Sequence, residues 1–111
     1  MGYPQGSVVL ADDLYKDGMR PYFIISNEDR PFRHDAVTIV VMSTNNQSYS
    51  VEVQPDRDIV EGRLNKTSYV KPWALNTLRI DDIIRRVAQV SQDKVSDIFR
   101  ESERYLTPIN S

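Results

Sequence analysis

The chain has 111 residues, 40% of them hydrophobic and 27% charged, a balance that suits one folded domain with a single packed core. It has no cysteine, which excludes disulfides and cysteine-ligated zinc. His34 is the one histidine, too little for a histidine-rich metal site, so neither a metal nor a cofactor is expected.

The formal net charge is -2 and the pI about 5.3. A protein that grips duplex nucleic acid through many phosphates is usually strongly basic. Any nucleic-acid contact here must therefore come from a local basic groove. No apolar run approaches the roughly 18–20 residues needed to span a bilayer. Residues 1–6 lack the charged start and apolar core of a signal peptide. The expected location is the cytoplasm, with no membrane partner.

Taken in chain order, Ser7–Ala11 predicts a first strand. Asp12–Met19 predicts a loop that turns at Asp17-Gly18. Arg20–Ser26 predicts a second strand, with Pro21 at its start, where a missing N–H is tolerated. Asn27–Asp35 is a charged loop. Ala36–Ser43 is β-branched and nearly continuously apolar, as in a strand buried on both faces. Asn45-Asn46-Gln47 is a polar connection. Ser50–Gln54 alternates with period two, as a half-buried strand does. Thr67–Leu75 predicts a further strand that bulges or lies on an edge at Pro72.

The last third changes period. Ile80, Ile83, Ile84 and Val87 follow the i, i+3, i+4, i+7 spacing of an amphipathic helix. Asp81 and Asp82 fall in its first turn and Arg85 and Arg86 later, as the helix dipole favours. Ser91 has the chemistry of an N-cap for a second helix. Val95, Ile98, Phe99 and Leu106 would form its buried stripe, with Pro108 beyond its end. Strands followed by helices predict an α+β domain: a small antiparallel β-barrel with C-terminal α-helices.

Five segments, in order and spacing, resemble the MazF/PemK toxin family over nearly the whole chain. Gly6-Ser7-Val8-Val9 is similar to the family's opening strand. Gly18-Met19-Arg20-Pro21, with Tyr22 to Asn27 after it, resembles its Gly-x-Arg-Pro and the apolar strand ending in Ser-Asn. Val40 to Asn45 resembles its strand-end Pro-x-Thr-Ser segment, with the proline replaced. Gly62 to Val70 is similar to the entry to its last strand, and Leu78 to Ile98 to its terminal helical region. The resemblance implies a single domain over residues 1–111, an SH3-like barrel, and a homodimer. It implies a metal-independent endoribonuclease that cuts single-stranded RNA and is blocked by a cognate antitoxin with an acidic tail.

The site follows residue by residue. Arg20 stands where a loop meets a strand, and its planar fork suits phosphate oxygens. It matches the family's catalytic arginine. Thr44 matches its active-site threonine, with Ser43 as the neighbour if the register shifts by one. Asn45, Lys71 and Lys16 are expected along the RNA groove, with Arg30 and Arg33 as further basic residues there or as plain surface. Trp73 occupies a position acidic in some relatives, and either stacks on a base or packs in the core or at a dimer interface. The proton-transfer group stays open between loop carboxylates (Asp12, Asp13, Asp17) and His34, whose ordinary pKa suits acid–base work; Asp17 and His34 are the leading pair. Competing readings are a catalytically weak relative that binds RNA or protein, a poison of DNA gyrase as in the CcdB branch, and a structural SH3-like module.

Overall fold

The computed structural model describes residues 2–109. Seven strands form one sheet: β1 (Ser7–Asp12), β2 (Met19–Ile24), β3 (Ala36–Ser43), β4 (Val51–Val53), β5 (Ile59–Gly62), β6 (Ser68–Arg79) and β7 (Ile83–Val90). A single helix, α1 (Gln92–Arg104), follows. Every pairing is antiparallel, in the order β4-β6-β3-β2-β1-β7-β5. The sheet curls into a half-barrel.

Both faces of this sheet carry an apolar cluster. Val8, Phe23, Val40, Met42, Val70 and Val90 pack with Val95 and Ile98 of α1 on one face. Val9, Ala11, Tyr22, Ile24, Ile39, Val41 and Leu78 form the other. This double burial explains why Ala36–Ser43 reads as an unbroken apolar run: its successive side chains point to opposite faces, and both faces are covered.

The helix predicted over Ile80–Val87 does not form. Ile80–Asp82 is one 3-10 turn, and Ile83–Val90 is strand β7, paired with β1 and β5. The cause is visible in the register. Along β1 the partners on β7 run Ala88, Arg86, Arg85, Ile83, so Val87 and Ile84 are extra residues at two bulges. Each bulge resets which face the next side chain meets. The apolar spacing then loses its period of two and imitates a helical one. The fold thus has one C-terminal helix where two were expected. β5 had no clear sequence signal, being a four-residue edge strand with its own register shift. It closes at Gly62, whose φ is +75° and where an added Cβ would stand 2.3 Å from the Val87 carbonyl oxygen. Only glycine meets both conditions without displacing backbone.

β6 is longer than predicted and bulges at the expected proline. Val41 pairs with Lys71 and Val40 with Leu75, so Pro72, Trp73 and Ala74 are looped out of the ladder with β3. Ser91 caps α1 by accepting from the Lys94 N–H at 3.4 Å. Val95 and Ile98 are buried as the stripe predicts, but Phe99 is 47% and Leu106 64% exposed. Leu106 lies past the helix end, where the chain has left the helical period.

Candidate active site

The site lies where the start of β2 meets the end of β3. Tyr22 is paired with Val41, and both belong to the cluster on the face away from α1. Residues two apart on a strand share a face, and directly paired residues do too. Arg20, Ser43 and Lys71 therefore project on that same face, since Lys71 is the partner of Val41 on β6. Three residues far apart in sequence share one corner of the sheet because antiparallel pairing stacks the ends of β2, β3 and β6.

Arg20 is held by two contacts. Its Nη2 donates to the Met42 carbonyl at 3.1 Å, and its Nη1 lies 3.7 Å from the Asp13 carboxylate. Its side chain keeps 24% of its exposure, whereas that of Asp13 keeps only 3%. The guanidinium is thus anchored at the strand end with part of its fork open to solvent. Thr44, two residues beyond Met42, is exposed. The Ser43 Oγ accepts from the Asn45 N–H at 3.0 Å, which bends the chain as it leaves β3 and leaves the Ser43 O–H free to donate elsewhere.

The loop that delivers Arg20 is tied down from several sides. The Asp13 N–H donates to the Gly18 carbonyl at 2.8 Å, closing the loop at its base. The Asp13 carboxylate accepts the Tyr15 N–H at 2.8 Å. The hydroxyl of Tyr22, a fully buried residue, accepts the Leu14 N–H at 2.9 Å. Burial pushes the Tyr22 phenol above its usual pKa, an effect that the Leu14 hydrogen bond and the Arg20 charge oppose and the Asp13 charge reinforces. At the loop tip, the Asn76 amide donates to the Tyr15 hydroxyl at 3.3 Å, tethering the loop to β6.

The sequence-predicted residues divide into three groups. Arg20, Ser43 and Lys71 share a face at this corner, and Thr44 and Asn45 are exposed where the chain leaves β3. Lys16 and Asp17 are exposed on the loop that leads into Arg20. His34 is apart from both groups. It lies in the β2–β3 connection, next to the start of β3, whereas Met42 and Ser43 are at the other end. Seven strand steps separate those ends, about 23 Å at about 3.3 Å per residue. Trp73 is also turned away: the bulge directs it to the helix face, where its ring meets that of Tyr105 edge-on at 6.4 Å between centroids. Arg30 ties down its own loop, donating to the Thr38 hydroxyl at 3.0 Å and the Ala36 carbonyl at 3.2 Å. Arg33 is 3.9 Å from Glu28.

Two participants were missed or misjudged by sequence reasoning. Tyr22 reads as one aromatic in an apolar strand, and nothing local signals that its hydroxyl holds a loop. Asp13 reads as one of three equivalent loop carboxylates, and only the pairing of β1 with β2 brings it to Arg20.

Comparison with known proteins gives this geometry a family. Residues 5–103 match the model for the PemK-like, MazF-like toxins of type II toxin–antitoxin systems. No curated protein sequence matches significantly. Among solved structures, the chain is similar to a mycobacterial endoribonuclease in complex with its cognate antitoxin, with 23% identity, 95% of each chain covered and a TM-score of 0.77. It is similar to the Mycobacterium tuberculosis toxin MazF-mt6, with 21% identity, 90% of this chain and 95% of that one covered, and a TM-score of 0.70. It is also similar to MazF in the MazE–MazF structure from Deinococcus radiodurans, with 13% identity, 96% of each chain covered and a TM-score of 0.71. With the family model covering most of the chain and the fold shared with solved toxins, the chain belongs to the PemK-like, MazF-like toxins of type II toxin–antitoxin systems.

Proposed function

We propose that this toxin is an endoribonuclease that cuts single-stranded RNA without a metal ion, with Arg20 and Thr44 as its catalytic residues. One observation carries the reading: the Arg20 guanidinium is fixed between the Met42 carbonyl and the Asp13 carboxylate with part of its fork open to solvent, at the strand end from which the chain runs on to the exposed Thr44. The endoribonuclease function of the mycobacterial structures that share the fold supports it.

RNA carries its own nucleophile. The 2′-oxygen attacks the adjacent phosphorus, the bond to the 5′-oxygen breaks, and the products are a 2′,3′-cyclic phosphate and a 5′-hydroxyl. The 2′-hydroxyl must lose its proton, the leaving 5′-oxygen must gain one, and charge builds on the non-bridging oxygens between. Arg20 supplies preorganised N–H donors to those oxygens, and the Thr44 hydroxyl supplies another. Arginine stays protonated, so it stabilises charge and is not the base. Asp13 is engaged in holding Arg20 and the loop. Asp17, exposed on that loop, is the carboxylate we assign to proton transfer. His34 reaches this corner of its own chain only by a large rearrangement. Lys71, Lys16, Ser43 and Asn45 extend the polar surface on which the strand would lie. The working unit is a homodimer, and the partner that silences it is an antitoxin whose acidic tail competes for the same cations; antitoxin-bound relatives support this.

The test is a labelled single-stranded RNA pool incubated with the protein in EDTA. Fragments ending in 2′,3′-cyclic phosphate are expected, and Arg20→Ala should lower kcat about 100- to 1,000-fold, as loss of a charge-stabilising donor does elsewhere. Wild-type protein that leaves the whole pool intact overturns the reading. Undiminished cleavage by Arg20→Ala overturns the assignment of the arginine.

A further inference from the structure

On the opposite face of the same sheet end, three exposed aromatic rings surround a groove of about 550 Å³ lined by Gln47, Ser48, Tyr49, Trp73, Arg104 and Tyr105. Tyr49 is 78%, Tyr105 43% and Trp73 38% exposed. We propose that this groove is a nucleobase-binding subsite, in which a base several nucleotides from the scissile phosphate stacks on Trp73 and Tyr49. This rests on the ribonuclease reading and extends it to a surface remote from Arg20.

Four observations carry it. The first is ring geometry. Trp73 and Tyr105 meet at 86°, and a perpendicular pair uses the edge of one ring, leaving the faces of that ring uncovered by the pairing. A base stacks on such a face whatever its identity. The second is backbone strain. Tyr49 sits in a turn closed by the Ser50 N–H donating to the Gln47 carbonyl at 3.1 Å, and its φ is 72°. That conformation favours glycine and is an outlier for a bulky side chain. The turn thus holds a large aromatic side chain at the rim against the local preference of the backbone, as happens at ligand-binding sites.

The third observation is charge. The lining of this groove includes one cation, Arg104, and no carboxylate. Arg104 lies 5.9 Å from the Tyr105 ring centroid and 3.5 Å from Glu101, and both members of that ion pair are well exposed. An exposed pair of this kind is weak, so Arg104 is available to a phosphate linked to the stacked base. The amide of Gln47 and the hydroxyl of Ser48 offer donors and acceptors for a base edge. The fourth is continuity. Residues 44–49 form one connection leaving β3, with Thr44 at its start and Tyr49 near its end. Five residues span at most about 18 Å at about 3.6 Å per residue. A flexible single strand leaving the Arg20 corner can follow this connection around the sheet end into the groove.

Trp73 is the one tryptophan of the chain, so its fluorescence reports this groove alone. The probe is a random-sequence 2′-O-methyl RNA decamer, whose blocked 2′-oxygen prevents cleavage and separates binding from chemistry. Saturable quenching of the wild-type protein is expected, with the same midpoint as the anisotropy of a labelled decamer. Trp73→Ala and Tyr49→Ala should each raise the anisotropy Kd about 5- to 150-fold, the range expected for one stacked base. Tyr49 is 78% exposed, so Tyr49→Ala should leave the melting temperature nearly unchanged and remains informative even if Trp73→Ala unfolds. Binding of the decamer with no quenching, and an unchanged Kd in Tyr49→Ala, overturns the subsite. Quenching by an acidic peptide but not by RNA overturns it in favour of a protein-docking surface. A shift from dimer to monomer in Trp73→Ala with an unchanged Kd overturns it in favour of a subunit contact. Because the probe is not cleaved, the subsite can fail while the nuclease reading stands, and the reverse.

Discussion

The Asp13 carboxylate lies 3.7 Å from the Arg20 guanidinium with a side chain that is 3% exposed, whereas the arginine keeps 24% of its exposure. The carboxylate is enclosed and the guanidinium partly open, so the pair works in one direction: the loop fixes the arginine, and the arginine faces outward. Asp13→Asn keeps an oxygen for the Tyr15 N–H and removes the charge. Arg20 should lose its orientation, and kcat for RNA cleavage should fall about tenfold to hundredfold, the scale of an ångström-sized misplacement. KM should change little or fall, since the freed guanidinium still attracts phosphate. Steady-state kinetics checks this, and wild-type kcat in a folded Asp13→Asn protein would remove Asp13 from the positioning role.

Tyr22 makes alkaline stability a readout of the same loop. Burial raises its phenol pKa above the ordinary value of 10.0. The folded state therefore holds this proton at pH values where the unfolded chain has lost it. The associated stability is present in full below about pH 10 and is lost as the pH rises from there through the folded-state pKa. Tyr22→Phe should flatten that part of the profile. It should also cost about 1 kcal/mol at neutral pH, because the Leu14 N–H loses its acceptor. Urea midpoints of both proteins between pH 8 and 11 test it; parallel profiles would show that Tyr22 stores no such term.

Asp58 ties β4, β5 and α1 together. Its residue exposure is 5%, its carboxylate accepts the Gln54 N–H at 2.8 Å and lies 3.9 Å from Lys94 Nζ, and its carbonyl accepts the Ser91 N–H at 2.7 Å. Asp58→Ala removes the acceptor of the partly buried Gln54 N–H and leaves Lys94, itself largely buried, with one charge fewer beside it. The expected loss is about 3 kcal/mol of unfolding free energy. Chemical denaturation measures it directly. A loss under about 1 kcal/mol would mean that water or Gln54 rearrangement replaces the carboxylate.

The strands whose side chains alternate faces without interruption were legible. Ala36–Ser43 was read with the observed ends because side chains on both of its faces are buried over most of its length. β7 was not, since bulges at Ile84 and Val87 shift its faces twice in eight residues. Ser91 was recognisable because capping is local chemistry, whereas the exposure of Phe99 depends on where α1 lies across β6.

The same division holds for the site. Arg20 and Thr44 could be proposed from the sequence because motif spacing along the chain survives without coordinates. That Asp13 rather than Asp17 meets Arg20, that His34 stands at the far end of β3, and that Trp73 faces Tyr105 rather than Lys71 were decided by strand register and one proline bulge. Register is set by the pairing of distant segments, and a shift of one residue exchanges the faces of a strand. The sequence therefore determined an apolar sheet, a helix capped at Ser91, and which residues have the chemistry for a site. Only the tertiary structure decided which of them share a face, because that depends on contacts between residues far apart in the chain.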